Sequence, residues 1–263
     1  MQNNPLLRID SVSYQINKKT LVNNVSLEVF DKDVVSIIGP NGAGKSTLIK
    51  LLSGEINPTS GSIFFHGKEY NLWDLKELAC FRSVLPQSNH LTFPFSVLDI
   101  VKMGRYPLSD SSDYLNDERI CKIILDEFDL NDYINQNYIT LSGGEKQRVQ
   151  LARVLAQIWS DEDYSSKVLI LDEPTSYLDI KHQYALFDFL KELNVKGLSI
   201  IFVLHDISQA ILNSSKIAIL KDSDLIKYGK REEIINSDLL TDVFNVEFQL
   251  ESRIENNKPI IYL

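Results

Sequence analysis

Nine consecutive residues, Gly39-Pro40-Asn41-Gly42-Ala43-Gly44-Lys45-Ser46-Thr47, carry the clearest chemistry in the sequence. They match the pattern G-x-x-x-x-G-K-[ST], in which glycines let backbone N–H groups turn inward around phosphate oxygens while the following helix points its partly positive end at them. Lys45 would reach the β- and γ-phosphates, and the Ser46 hydroxyl would ligate Mg²⁺. A second pair, Asp172 and Glu173, follows the apolar run Val168 to Leu171. Neighbouring residues at a strand end point in opposite directions, so the two carboxylates should have different tasks. Asp172 would hold the metal shell, and Glu173 would polarise an attacking water as general base. A third group, Leu141-Ser142-Gly143-Gly144-Glu145, opens a helix that continues through Lys146, Gln147 and Arg148. Ser142 with Glu145 three residues on has the form of a capping box. Two glycines ahead of a helix also expose backbone donors suited to another phosphate. Both readings stand at this point.

Such groups need a frame. Val34 to Ile38 is a compact, β-branched run ended by Gly39, and Thr47 to Leu52 is helix-compatible, giving strand, loop, helix. Val168 to Leu171 ends in Asp172 and Glu173, and Ile200 to Leu204 ends in His205 and Asp206. Continuous apolar runs suit strands buried on both faces of a parallel sheet. All three carry polar residues at their carboxyl ends, the rim where open α/β sheets bind ligands. Leu6 to Glu28 reads as short strands and turns. Ser88 to Trp159 reads mostly helical, clearest in Ser96 to Met103, Asp117 to Phe128 and Gly144 to Ile158, and Ser160 to Lys167 reads as a solvated loop. The expected fold is therefore α/β: a P-loop NTPase core with a mainly parallel sheet, an N-terminal antiparallel β part, and a helical subdomain over about 88–159 inserted into a single domain spanning 1–263.

Composition narrows the setting. The chain has 263 residues, 44% hydrophobic, enough to bury a sizeable core. Its apolar runs fall far short of the ~18 residues that cross a bilayer, and Met1 to Asp10 contains no apolar leader run, so a cytoplasmic, peripheral location is expected. Thirty-six acidic residues against 27 basic give a formal charge of −9, which argues against a broad nucleic-acid surface. Cys80 and Cys121 lack metal-ligand or CxxC spacing and read as reduced, structural thiols.

The phosphate loop, LSGGE, LILDEP and a lone His after a buried strand, in that order, resemble the nucleotide-binding subunits of ABC transporters over nearly the whole chain. The resemblance implies ATP and Mg²⁺ as ligands and a pair of identical subunits, since in that family the signature loop caps ATP held by the opposite subunit. Ser142, Gly143, Gly144 and Glu145 would thus face a partner's nucleotide. Residue by residue, it implies that Tyr14 stacks on adenine, Gln87 senses Mg²⁺ and the attacking water, Asp179 lies at the dimer seam, and His205 contacts the γ-phosphate. It further implies two transmembrane permease subunits, a periplasmic substrate-binding protein acting indirectly, no nucleic-acid partner, and a place on the cytoplasmic face of the inner membrane.

Phe81 to Arg105 resembles the importers of iron chelates, cobalamin and haem, and LPQ with FPFSV, LARVLAQIW and LDEPTSYLDIKHQ looks most like the haemin-import ATPases. Phe93, Pro94 and Phe95 would form part of a groove for a permease helix, or else subdomain core. Two positions depart from the family pattern: Glu145, where Gln is commoner, and Tyr177, where a small residue or Asn is usual. Siderophore or cobalamin import is the alternative cargo. A non-transport ABC ATPase would need a long coiled coil or two cassettes, and a P-loop kinase would have no use for LSGGE.

Overall fold

The computed structural model describes residues 4–87, 91–109, 114–234, 236–252 and 259–262. Met1–Asn3 of the expected leaderless start, and Ser88–His90 at the head of the expected helical stretch and within the importer-like segment 81–105, lie outside the described residues. Internal contacts divide the chain into two compact units, 1–72 with 199–263, and 73–198.

The first unit opens with β1 (Leu7–Ile16) and β2 (Lys19–Val29), an antiparallel hairpin. Its two-residue turn, Asn17-Lys18, has φ of 48° and 69°, the doubly left-handed geometry whose twist matches that of the flanking strands. Then come β3 (Val34–Ile38), α1 (Lys45–Leu52), β4 (Ser60–Phe65) and β5 (Lys68–Glu69). The second unit holds α2 (Leu75–Ala79), β6 (Arg82–Leu85), α3 (Val97–Met103), α4 (Tyr114–Glu127), α5 (Gly143–Ile158), β7 (Val168–Asp172) and α6 (Ile180–Val195). The chain then returns to the first unit with β8 (Ser199–Val203), α7 (Ile207–Asn213), β9 (Lys216–Lys221), β10 (Asp224–Lys230), α8 (Arg231–Ile234), α9 (Ser237–Phe244), β11 (Gln249–Ser252) and β12 (Pro259–Tyr262).

Strands of the first unit run in the order β5-β4-β1-β2-β10-β9-β3-β8. β3 is parallel to both neighbours, with Ile37 opposite Val203 on one side and Ala218 on the other. β1, β2, β4 and β5 pair antiparallel. The α/β class with a parallel core and an antiparallel N-terminal part is thus present. β3 is wholly central, and its Val35, Ile37 and Ile38 are buried together with Ser36, whose hydroxyl hydrogen-bonds that of Ser214. β9 and β10 form an additional antiparallel hairpin between the two parts, touching β2 through Asp224 and Asn23.

In the second unit β6 and β7 are parallel, Leu85 opposite Leu171. Helices α3, α4 and α5 pack on one another, and Val97, Ile100 and Val101 of α3, Ile120, Ile124 and Leu125 of α4, and Val149 and Ala152 of α5 are buried. Ser96 and Asp99 close a capping box at the start of α3. Arg105 is buried here, and its charge is met by Asp117 at 2.7 Å and by the Ala156 carbonyl at 2.7 Å. Unpaired, that guanidinium would cost more than the helices gain from one packed side chain. Among the described residues no helix is long and apolar enough to cross a membrane.

Candidate active site

In the first unit, Gly39 leaves the end of β3 and Gly44 is the N-cap of α1, with no side chain capping the helix. Neither position admits a side chain. A Cβ on Gly39 would lie 2.1 Å from the Leu220 carbonyl oxygen, and one on Gly44 would lie 2.3 Å from that of Leu21, with φ at 154° and 100°. The sheet therefore presses on the loop from two strands, β9 and β2, and fixes its path. The exposed Asn41 and Gly42 form the tip of the loop, Ala43 is buried beneath it, and Pro40, Ser46 and Thr47 are half-buried.

Lys45 is 7% exposed, and its Nζ donates to the carbonyls of Gly39 at 2.8 Å and Pro40 at 3.0 Å. The ammonium is thus folded back over the loop. With its N-terminus uncapped by any side chain, α1 offers the first-turn N–H groups to an acceptor above the loop. Tyr14 reaches the same neighbourhood through register: it pairs with Val22 across β1 and β2, and a Val22 methyl is 3.7 Å from the Cβ position of Gly44. His205 is exposed beyond the end of β8, immediately before Asp206, which caps α7 by accepting from the Gln209 N–H.

In the second unit β7 delivers Asp172, which is 4% exposed, and then turns sharply. Glu173 sits in the left-handed region with φ of 52°, an uncommon conformation for a residue other than glycine and one concentrated at functional sites. That turn aims its carboxylate at Gln87, whose Nε2 donates to Oε1 at 2.9 Å. Ser176 donates its hydroxyl to Oε2 at 3.4 Å. Gln147 of α5 donates to the Pro174 carbonyl at 3.0 Å, tying the signature helix to this turn. Sequence reasoning singled out Gln87 and Glu173 and missed Ser176 and Gln147. The signal for Ser176 was its spacing, three residues beyond the carboxylate on a tight turn, where a hydroxyl reaches back.

The LSGGE segment forms the capping box, and the box does not use up the donors on which the phosphate reading depends. The Ser142 Oγ accepts from the Glu145 N–H at 3.4 Å, and the Ser142 N–H donates to Glu145 Oε2 at 2.7 Å, completing a capping box. That box takes up the N–H of Glu145 and leaves those of Gly143 and Gly144, the first two helical residues, at the open end of α5. Hydrogen bonds from Ser142 and Tyr133 hold the Glu145 carboxyl below its ordinary range. An acceptor already occupied in this way supports the donors of the loop and adds none of its own.

Asp179 caps α6, accepting from the His182 N–H at 2.9 Å and facing His182 Nδ1 at 2.7 Å. The backbone donor, and then the ring, lower its pKa. Phe93 and Phe95 lie 6.2 Å apart and are exposed, so they form a surface pair and not core.

The family model described as "ABC transporter" matches residues 22–176. The chain is 38% identical over 242 residues to "Hemin import ATP-binding protein HmuV" of Gloeobacter violaceus, covering 92% of this chain and 88% of that protein. Among solved structures, an inward-facing transporter assigned to the metal-chelate ABC type superposes with a TM-score of 0.79 at 25% identity, over 98% of this chain and 96% of that one. The dimeric structure of the bacterial ABC transporter cassette MJ0796 superposes with a TM-score of 0.72 at 25% identity, over 86% of this chain and 98% of that one.

Proposed function

The chain belongs to the ABC transporter family, and on that premise we propose that it is the ATP-hydrolysing subunit of a haemin importer, working as a pair of identical copies on the cytoplasmic face of the inner membrane. The whole chain acts as one ATPase domain with a helical insert at about 88–159. Two transmembrane permease subunits carry the cargo, fed by a periplasmic binding protein, and the exposed Phe93 and Phe95 belong to the surface that receives a permease helix.

The observation that carries the ATPase reading is the hydrogen bond from Gln87 to a Glu173 held in a strained turn. A carboxylate oriented by an amide donor, with its second oxygen within reach of a hydroxyl, is built to position a water and accept its proton. Phosphates sit on the N–H groups of the loop Gly39 to Thr47, where Lys45 exchanges its carbonyl partners for phosphate oxygens. Tyr14 stacks on the base. Ser46, Asp172 and the Gln87 carbonyl supply the hard oxygen donors that Mg²⁺ prefers, and the ion when bound offsets phosphate charge. His205 donates to the γ-phosphate.

Ser142, Gly143 and Gly144 of one copy cap the nucleotide of the other, and Asp179 lies at the seam. Bound ATP favours the closed pair because its charge is shared by donors from both copies, and hydrolysis removes part of that preference. The permease follows this cycle.

Glu173→Gln tests the chemistry. It should retain ATP binding and slow hydrolysis by on the order of 100-fold or more, and near-normal turnover would remove Glu173 from the role of base. The cargo rests on the haemin-import relative, while the metal-chelate neighbour keeps ferric siderophore or cobalamin as the second reading. Deleting the gene and testing growth with haem as sole iron source separates them: haem-dependent growth is lost if haemin is the cargo and persists if it is not.

A further inference from the structure

We propose that Gln147 is a positioning residue for hydrolysis: its side-chain amide holds the Pro174 carbonyl, and through it the turn that aims the Glu173 carboxylate. The inference rests on the reading of Glu173 as general base.

That turn has to be held. Glu173 and Tyr177 are both left-handed, with φ of 52° and 67°, and they bracket Pro174, Thr175 and Ser176. Neither residue type favours that backbone, which persists only where the surroundings over-determine it. Part of the constraint is internal: the Ser176 N–H donates to the Glu173 carbonyl at 3.2 Å, and the Leu178 N–H to that of Thr175 at 3.1 Å. Both bonds lie within the segment, so they shape it without fixing its place in the molecule. The bond from Gln87 ends on the Glu173 carboxylate and holds the side chain, not the backbone that carries it.

Helix α5 fixes the segment from outside. Pro174 is buried, and a buried carbonyl needs a donor. The half-buried Gln147 supplies one, Nε2 to the carbonyl oxygen at 3.0 Å. Three residues earlier, on the same face of α5, Gly144 meets the other end of the segment: a Cβ there would lie 2.9 Å from the Tyr177 carbonyl oxygen. The helix thus bears on the segment at both ends. Close contact at Gly144 stops the backbone from approaching, whereas the hydrogen bond at Gln147 also stops it from leaving and sets the rotation of the peptide one residue beyond Glu173. Gln147 spends its amide on backbone, so it acts on the reaction through the carboxylate and not by touching it.

The experiment measures steady-state Mg-ATP hydrolysis by the full chain. Gln147→Met keeps the length of the side chain and drops the donor, and Gln147→Glu keeps its shape while an ionised carboxylate only accepts. Each should lower kcat about tenfold, the scale of a modest misplacement of a reacting group. KM for ATP and affinity for Mg-ADP should stay within about twofold of the parent, because the phosphate loop is untouched. A merely structural link would lower Tm and leave the kcat of the folded chain alone. Repeated in the Glu173→Gln chain, Gln147→Met should change the residual hydrolysis by less than about twofold, since no base is left to place. Parental kcat in both Gln147 variants refutes the proposal and leaves the general-base reading intact if Glu173→Gln is slow. Equal losses with and without the Glu173 carboxylate also refute it, because Gln147 would then act on something else. If Glu173→Gln turns over at a near-normal rate, the base reading falls and this one with it.

Discussion

Helices α1 and α5 both have glycine at their N-terminal end, and they are built in opposite ways. At α1 the N-cap Gly44 is left-handed and hard against the Leu21 carbonyl, and no side chain caps the helix. At α5 neither Gly143 nor Gly144 has a positive φ, and the end of the helix is organised by Ser142 and Glu145. The first site gets its shape from backbone compression, and the second from side-chain hydrogen bonds. At Gly39 and Gly44 the compressed loop leaves no room for a Cβ. A capped helix degrades in small steps, each of the size of one hydrogen bond.

The sharpest way to break this comparison is Gly44→Ala. Its Cβ cannot be accommodated without moving the backbone of β2, and the left-handed φ adds strain of about 1–2 kcal/mol. Nucleotide affinity should fall by at least about 100-fold, read by calorimetric titration with Mg-ADP. Gly143→Ala is the matched control, because the nearest atoms to its Cβ would be those of the Tyr177 side chain, at ordinary contact distance. Mg-ADP affinity should there be unchanged. Equal losses in the two variants would mean that compression does not distinguish the sites.

Next in size is Lys45→Ala. The side chain is nearly buried and bonded to two carbonyls of its own loop, so its removal takes away both the phosphate contact and the strut across Gly39 and Pro40. ATP binding should weaken by about 10- to 100-fold, since a charged hydrogen bond contributes about 1.5–3 kcal/mol. Unchanged affinity would contradict the cradle.

Ser142→Ala sharpens the other half. Losing the cap should cost about 1 kcal/mol of stability, seen as a fall in Tm of about 2–4 °C. ATP turnover should drop while Mg-ADP affinity of the separate copies stays at the parental value. A matching fall in Mg-ADP affinity would show that the signature loop serves its own chain.

These differences also explain what could be read from residues alone. The runs Val34 to Ile38, Val168 to Leu171 and Ile200 to Leu204 supply β3, β7 and, up to Val203, β8, because short stretches dominated by β-branched and apolar residues suit a doubly covered sheet. The three clearest helical segments are α3, α4 and α5 to within three residues at each end. Ser142 and Glu145 were legible for the same reason: a capping box is a local device written in adjacent residues.

What stayed illegible depends on distant partners. The β9–β10 hairpin was not foreseen, and nothing local announces that Asp224 meets Asn23, some 200 positions away. The left-handed backbone of Glu173 and Tyr177 has no composition signal, since neither is a residue type that favours it. Gln147 reads as one more polar position on a helix until its contact with Pro174 is seen. Phe93 and Phe95 could not be divided between core and surface by hydrophobicity, which is the same in both places.

The smallest effect tests the cap itself. In Glu145→Gln the amide oxygen can still accept from the Ser142 N–H, so the box survives, but a charge near the helix N-terminus is lost, worth a few tenths of a kcal/mol. Glu145 has a folded pKa below its ordinary value, so the stability it adds is present above the unfolded carboxylate pKa, about 4.3, and is lost as pH falls through the lowered value. At neutral pH the variant should therefore melt about 1 °C below the parent. As acid protonates the parental carboxyl the two should converge, because the parent then also carries a neutral group at this position. A gap that instead widened on acidification would mean the carboxylate is held in its unfavourable state, and the capping box would not be what organises this loop.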